Sequence, residues 1–423
     1  MASELLLGNR WRHAPHSKTA AMTERRIRIA LYSHDTMGLG HMSRNLLLAE
    51  ELAASWHRPS VLLISGSREI GRFGIPRGTD VLSLPALYKD AASTYHARSL
   101  DVPLSELVAL RSATILGALD AFAPDVFIVD NVPRGAQGEL DAALRHLRAI
   151  GRTRCVLGLR DILDDAAHVR SEWARAANFS AVQRYFDAVW VYGDQDVTDV
   201  ATEYGFPENV RRRIRYTGYL DQRVRGGAIG RSAFPVSQRD TVLCLLGGGQ
   251  DGIGLAESFA KAPLPEPLRG LLVTGPMMSQ SDRRRVEFAS AGRERFQTVE
   301  FLDKPAAAMC DAHAVITMGG YNTVCDVLSY APRALLVPRV RPRSEQLIRA
   351  TRLAARGLLE VLHPDAATPE ALAAWASSPA PLPATGGVRM HTTAGLHALL
   401  DEVLTMSPAR RRPMPALEVL YAS

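Results

Sequence analysis

A histidine set among glycines is the first residue of this chain that could do chemistry. His41 lies in the stretch DTMGLGHMSRN, residues 35–45, where Gly38 and Gly40 let the backbone turn tightly and approach a ligand. It falls where a helical pattern begins, and the positive end of a helix favours a neutral imidazole that can accept a proton. The other use of such a residue is as a helix cap or a satisfied core histidine. A dinucleotide fingerprint GxGxxG is not met, because Ser43 stands where its third glycine belongs. Asp130 ends the apolar run DVFIVD and either holds His41 as it becomes charged or caps the following helix; the residue types leave both open.

The second half of the chain carries two more glycine-rich turns. Gly247, Gly248 and Gly249, followed by Gln250, stand between an apolar run and a helical pattern. Consecutive amides leading into a helix N-terminus make a cradle for a diphosphate, or simply a flexible turn. Gly319 and Gly320 repeat the arrangement, and Tyr321, Asn322 and Thr323 offer donors at the start of the next helix. Asp326, one turn further, could accept both hydroxyls of a ribose or complement the helix dipole. Glu345 and Gln346 could bond sugar hydroxyls, or be ordinary first residues of a helix. The pair Asp194 and Asp196 forms a D-x-D of the kind that elsewhere holds a diphosphate through a divalent cation; its place between a strand and a helical pattern predicts an N-cap and a first-turn acid instead. The four cysteines form no CxxC pair and the histidines show no metal-ligand spacing, so no metal and no cofactor are expected. Cys155, Cys244 and Cys310 are read as small buried hydrophobes.

The elements that must position these residues alternate. Apolar runs at 27–33, 60–65, 125–130, 154–161 and 188–193 are interleaved with amphipathic helical patterns, and a second series runs at 241–249, 270–276, 298–303, 313–320 and 333–340. That pattern predicts βαβ units and an α/β fold of two Rossmann-like lobes with parallel sheets, facing across a cleft. The expected organisation is a flexible tail over 1–25, a first Rossmann-like lobe over 26–218, a linker over 219–240, a second Rossmann-like lobe over 241–405 and a flexible basic tail over 406–423. Met22 is an alternative start. In open sheets of this kind ligands bind beyond the carboxyl ends of the strands, where all the glycine turns lie.

Composition excludes several classes. Over 423 residues, 47% hydrophobic and 22% charged is ordinary for a globular chain and excludes wholesale disorder. The net charge of +6 favours anionic partners without choosing among them. No apolar run approaches the ~18 residues of a membrane span, and Leu5–Leu7 is too short for a secretory core. The arginine clusters at 211–213 and 283–285 lack interleaved aromatics and read as solvated faces, so no nucleic-acid partner is expected. The expectation is a cytoplasmic enzyme, with weak peripheral contact to an acidic membrane through Arg410–Arg412 as one use of the tail.

These pieces, in this order, resemble the GT-B glycosyltransferases of family 28. The segments that carry the likeness are GGGQ at 247–250, EFLDKPAAAMCDAHAVITMGGYNTVCDV from 300, and the Glu345–Gln346 pair; the first lobe shares the glycine loop ending in His41. The chain is also similar to a group of bacterial predicted glycosyltransferases that carry GLGHxxRN and VYG segments. The resemblance implies a nucleotide-sugar donor, with UDP as the expected nucleotide. It implies that Phe301 and Leu302 hold the base, Gly249 and Gln250 the phosphate side, and Gly320–Thr323 the diphosphate. Asp326 would hold the ribose, Glu345 and Gln346 would read the donor sugar, and His41 would be base or acceptor contact. The family's usual Glu is Asp326 here, a Ser is replaced by Gly249, and a basic residue by Met318. The TGGH pattern of the first loop is also absent, which argues against the cell-wall lipid as acceptor. The expected reaction is inverting and metal-independent, to a hydroxyl or amine of a small molecule, glycan or lipid-linked acceptor. The alternatives are a nucleotide-sugar hydrolase, in which His41 activates water, and a nucleotide-sugar-binding protein without catalysis.

Overall fold

The computed structural model describes residues 26–34, 40–67, 70, 74–89, 94–225, 240–302, 305–331, 333–379 and 387–406. Gly38, the N-terminal tail, the C-terminal tail after Met406 and most of the expected linker lie outside them. Seven strands form the first sheet: β1 (Arg28–Ser33), β2 (Ser60–Ser65), β3 (Thr79–Ser83), β6 (Val126–Asp130), β7 (Arg154–Arg160), β8 (Ala188–Tyr192) and β9 (Ile214–Tyr216). A short antiparallel hairpin, β4 (Leu87–Lys89) and β5 (Tyr95–Ala97), is inserted after β3. The second sheet holds β10 (Thr241–Leu245), β11 (Arg269–Val273), β12 (Phe296–Val299), β13 (Ala314–Thr317), β14 (Ala334–Leu336) and β15 (Glu360–Val361).

Every pairing within the two large sheets is parallel. The orders are β3-β2-β1-β6-β7-β8-β9 and β12-β11-β10-β13-β14-β15. In each, the winding reverses beside the first strand, between β1 and β6 and between β10 and β13. Helices diverge at such a reversal and leave a crevice. The central strands are buried on both faces, which is why they read as continuous apolar runs: β6, β8, β10 and β13 are buried throughout.

The last described segment returns to the first lobe. The helix Thr393–Thr405 packs on the helix Gly40–Ala53. His57 Nε2 lies 2.6 Å from Asp401, and Arg215 is paired with Glu402. His391 is fully enclosed between Glu51, 2.6 Å away, and the amide of Asp221, which donates to its Nδ1 at 2.7 Å.

Three local expectations are corrected. The strands after the linker are shorter than the apolar runs: β10 ends at Leu245 and β13 at Thr317, because each run continues into the glycine turn that leaves the sheet. Asp194 and Asp196 do not open a helix. Asp194 heads a turn, accepting from the Asp196 amide and, at 2.7 Å, from the Arg389 amide, while Asp199 caps the helix Val200–Glu203. Cys310 is exposed, whereas Cys155, Cys244 and Cys325 are buried. Among the described residues, no three His, Cys, Asp or Glu side chains are grouped to hold a metal ion, and no helix is long and apolar enough to cross a membrane.

Candidate active site

A cavity of about 440 Å³ lies between the lobes at the two winding reversals. This is the size range of small-ligand sites. The first lobe contributes Gly40, His41, Ser43, Arg44 and Arg160; the second contributes Gly247–Asp251, Phe301, Leu302, Gly320–Thr323, Asp326, Arg339, Glu345 and Gln346.

On the first-lobe side, the helix Gly40–Ala53 buries Met42, Leu46, Leu47 and Leu52 toward the sheet, which fixes His41 at its cavity end. Asp130, at the carboxyl end of β6, meets Nδ1 of His41. Arg44, one turn after His41, donates to both oxygens of Asp130, Nε to Oδ1 at 2.8 Å and Nη2 to Oδ2 at 2.7 Å. Arg44 and Asp130 are 3% and 1% exposed, so this is a desolvated pair. Burial alone would raise the Asp130 carboxyl; the Arg44 guanidinium and His41 outweigh it and hold the group below the ordinary carboxylate range. An ionised Asp130 fixes the His41 tautomer with its proton on Nδ1, leaving Nε2 as the acceptor. His34, at the end of β1, lies with its ring 4.9 Å from that of His41. Burial, and then His41, push its pKa well below the usual imidazole value, so His34 is neutral.

On the second-lobe side, the turn after β10 is held by close backbone packing. Gly249 has φ of +87°, and a Cβ there would collide with the carbonyl of Thr274. The helix Tyr321–Tyr330 has Gly320 as its N-cap and no side chain capping it, so its first amides are left for a ligand. Asn322 reaches across the cleft, its Nδ2 donating to the carbonyl of Gly40 at 2.8 Å. Tyr321 is a packing residue as much as a ligand donor: its buried ring stacks on Tyr219 and lies under the guanidinium groups of Arg44 and Arg349.

Glu345 and Gln346 begin the helix Glu345–Ala354 and are both buried. Gln346 Oε1 accepts from the amides of Gly319 and Arg339, each at 3.1 Å, so it ties the two loops together and keeps its amide NH2 for a ligand. Gly319 sits behind the cavity wall, packed against Gln346. Arg339 donates to Glu345 Oε1 at 2.6 Å and to Asp251 at 2.7 Å. Glu345 Oε2 is buried with no partner, an acceptor waiting for a donor. Leu302 is 2% exposed and Phe301 56%, so one forms the wall and the other the rim.

Of the residues expected from the sequence, all but three line the cavity. Asp130 stands behind His41, Gly319 behind Gln346, and Gly38 lies outside the described residues. Arg44, Arg160 and Arg339 were not among them. The spacing of Arg44, three residues after His41 on one helix face, was the available signal for the first. Arg160 and Arg339 carry no local pattern, because their roles arise from strands meeting across the cleft.

Residues 244–377 match the Glycosyltransferase family 28 C-terminal domain. The match lies within the second lobe. A curated relative, the UDP-N-acetylglucosamine--N-acetylmuramyl-(pentapeptide) pyrophosphoryl-undecaprenol N-acetylglucosamine transferase of Syntrophotalea carbinolica, is 28% identical over 135 residues, 31% of this chain. The chain covers 38% of that relative's length. Over nearly the whole chain the fold is that of the GT-B glycosyltransferases. The glycotransferase of kitacinnamycin aligns over 90% of this chain and 95% of its own, with a TM-score of 0.56 at 16% identity. MurG of Acinetobacter baumannii aligns over 82% and 89%, with a TM-score of 0.51 at 14% identity.

Proposed function

We propose that this protein is an inverting glycosyltransferase that moves a sugar from a nucleoside diphosphate, with UDP the expected nucleotide, to an acceptor hydroxyl or amine. The observation that carries the reading is the opposition, across one cavity, of the His41–Asp130 pair and the uncapped amide end at Gly320–Thr323. One side can remove a proton and the other can receive the charge that leaves.

The acceptor enters from the first lobe and presents its O–H or N–H to Nε2 of His41. As the new bond forms at the anomeric carbon, the proton passes to His41 and the bond to the β-phosphate oxygen breaks. Asp130 stabilises the imidazolium, and Arg44 keeps Asp130 ionised. General-base assistance of this kind contributes typically about 10²–10⁴-fold. The departing diphosphate is received by the amides of the Gly247–Gln250 turn and of the helix beginning at Tyr321, preorganised and partly shielded from water. Asp326 takes the ribose hydroxyls, Phe301 and Leu302 the base, and the free oxygen of Glu345 a hydroxyl of the sugar. With charge development met by amides, the step needs no divalent cation.

The test is donor turnover with and without an acceptor library, in EDTA. Release of the nucleoside diphosphate that depends on acceptor and survives EDTA supports the reading. Release without acceptor makes the protein a hydrolase, binding without release makes it a carrier, and loss in EDTA restored by manganese overturns the metal-free step.

A further inference from the structure

Arg160 is the last residue of β7, at the ligand end of the first sheet, and its side chain lines the inter-lobe cavity. The other arginines around it are neutralised. Arg44 is held by Asp130, Arg339 by Asp251 and Glu345, and Arg349 by Asp161. Among the described residues, the guanidinium of Arg160 has no hydrogen-bond or ion-pair partner, and its Nε is buried and unsatisfied. Of the carboxylates that attract it, Asp130 is held by Arg44, and Glu345 has one oxygen on Arg339 and the other without any partner.

Arg160 is half-buried, and a partly desolvated cation without a counter-ion is costly. Here the cost is raised by two like charges, Arg44 and Arg349. Burial first, and then these two neighbours, bring the Arg160 pKa down to about 10, so the group is still charged at neutral pH. The strand end cannot swing away, because the next residue, Asp161, is locked to Arg349 of the other lobe by contacts of 2.7–3.0 Å. An anion entering the cavity would remove the penalty, and the planar fork of arginine matches the paired oxygens of a phosphate or carboxylate.

We propose that Arg160 is an oxyanion receptor in the middle of the cleft, binding a phosphate or carboxylate oxygen of the ligand between Glu345 and the His41–Asp130 pair. The inference rests on the reading that a nucleotide sugar occupies this cavity. The oxyanion is either the β-phosphate of the donor or a carboxylate on the sugar being transferred.

Isothermal titration of wild type, Arg160→Met and Arg160→Lys with UMP, UDP, UDP-glucose, UDP-glucuronate and inorganic pyrophosphate separates these sources; TDP and GDP are titrated in parallel. If the β-phosphate is held, Arg160→Met weakens the diphosphates and pyrophosphate by about tenfold or more and leaves UMP unchanged. If a sugar carboxylate is held, only UDP-glucuronate weakens. In both cases Arg160→Lys recovers part of the affinity, and the ligand-free melting temperature of Arg160→Met is no lower than that of wild type, since an unpaired, half-buried charge has been removed. Equal affinities in wild type and Arg160→Met, or a uniform loss accompanied by a lower melting temperature, would overturn the proposal. Should wild type bind no nucleotide but bind pyrophosphate through Arg160, the nucleotide reading fails and the receptor stands. Binding of none of the probes sinks both.

Discussion

At the scale of single residues, the first-lobe half of the site is a chain of three: Arg44 fixes Asp130, Asp130 fixes His41, and His41 faces the cavity. Two substitutions separate the roles. His41→Ala should lower turnover by about 10²–10⁴-fold while nucleotide affinity, measured by titration, stays near wild type. A parallel loss of affinity would make His41 a binding residue. Asp130→Asn leaves Arg44 buried without its partner and should lower the melting temperature as well as turnover. The folded Asp130 carboxyl is held below its unfolded value. Its contribution to stability is therefore complete above the unfolded carboxylate range and lost as the pH falls through the lower folded value. The gap in melting temperature between wild type and Asp130→Asn should be widest at neutral pH and narrow below about pH 4. A gap independent of pH would contradict the assignment. The sequence exposed His41 because glycines and a helix start surround it, and Asp130 because it ends an apolar run. It hid Arg160 and Arg339, since nothing within a few residues of either marks what it meets across the cleft.

At the scale of elements, the two sheets place their winding reversals face to face, and the helix Glu345–Ala354 is the principal bolt between them. Its Arg349 is fully buried and donates to Asp161 at the end of β7, to the carbonyl of Gly319 at 2.9 Å and to that of Ile162 at 3.2 Å. Tyr219 adds a hydroxyl donor to the same carboxylate at 2.8 Å. Breaking one partner of such a pair costs about 3–5 kcal/mol, whereas replacing both with apolar groups is often near neutral. Chemical denaturation should show Asp161→Asn strongly destabilised and the double variant Asp161→Leu with Arg349→Met largely recovered. A small effect from Asp161→Asn alone would mean that the seam is held elsewhere. The buried parallel strands were legible as apolar runs, since both of their faces are covered. The short edge strands β9 and β15 and the hairpin β4–β5 were not. Ile214–Tyr216 and Glu360–Val361 are too brief to show a period, and the hairpin lies half exposed, with Tyr88 and His96 stacked at 5.1 Å. The stretch 131–139 carries Glu139 into a buried network with Arg111 and Tyr32, which makes its base structural.

At the scale of the whole molecule, the chain crosses between lobes twice, and its end returns to clasp the beginning. Asp194, Glu51 and Asp221 each bond the segment 389–391, so the first lobe is closed by residues that the chain order assigns to the second. We therefore place the helix Thr393–Thr405 with the first lobe, a division that chain order alone does not suggest. The same geometry gives the account its central claim: a nucleoside diphosphate sits in the crevice with its phosphates on backbone amides. A crystal structure of the protein soaked with UDP or a UDP-sugar in EDTA is the most direct measurement. The account predicts the diphosphate between Gly247–Gln250 and Gly320–Thr323, with the anomeric position toward His41. Phosphates bound elsewhere, or held only through an added divalent cation, would contradict it.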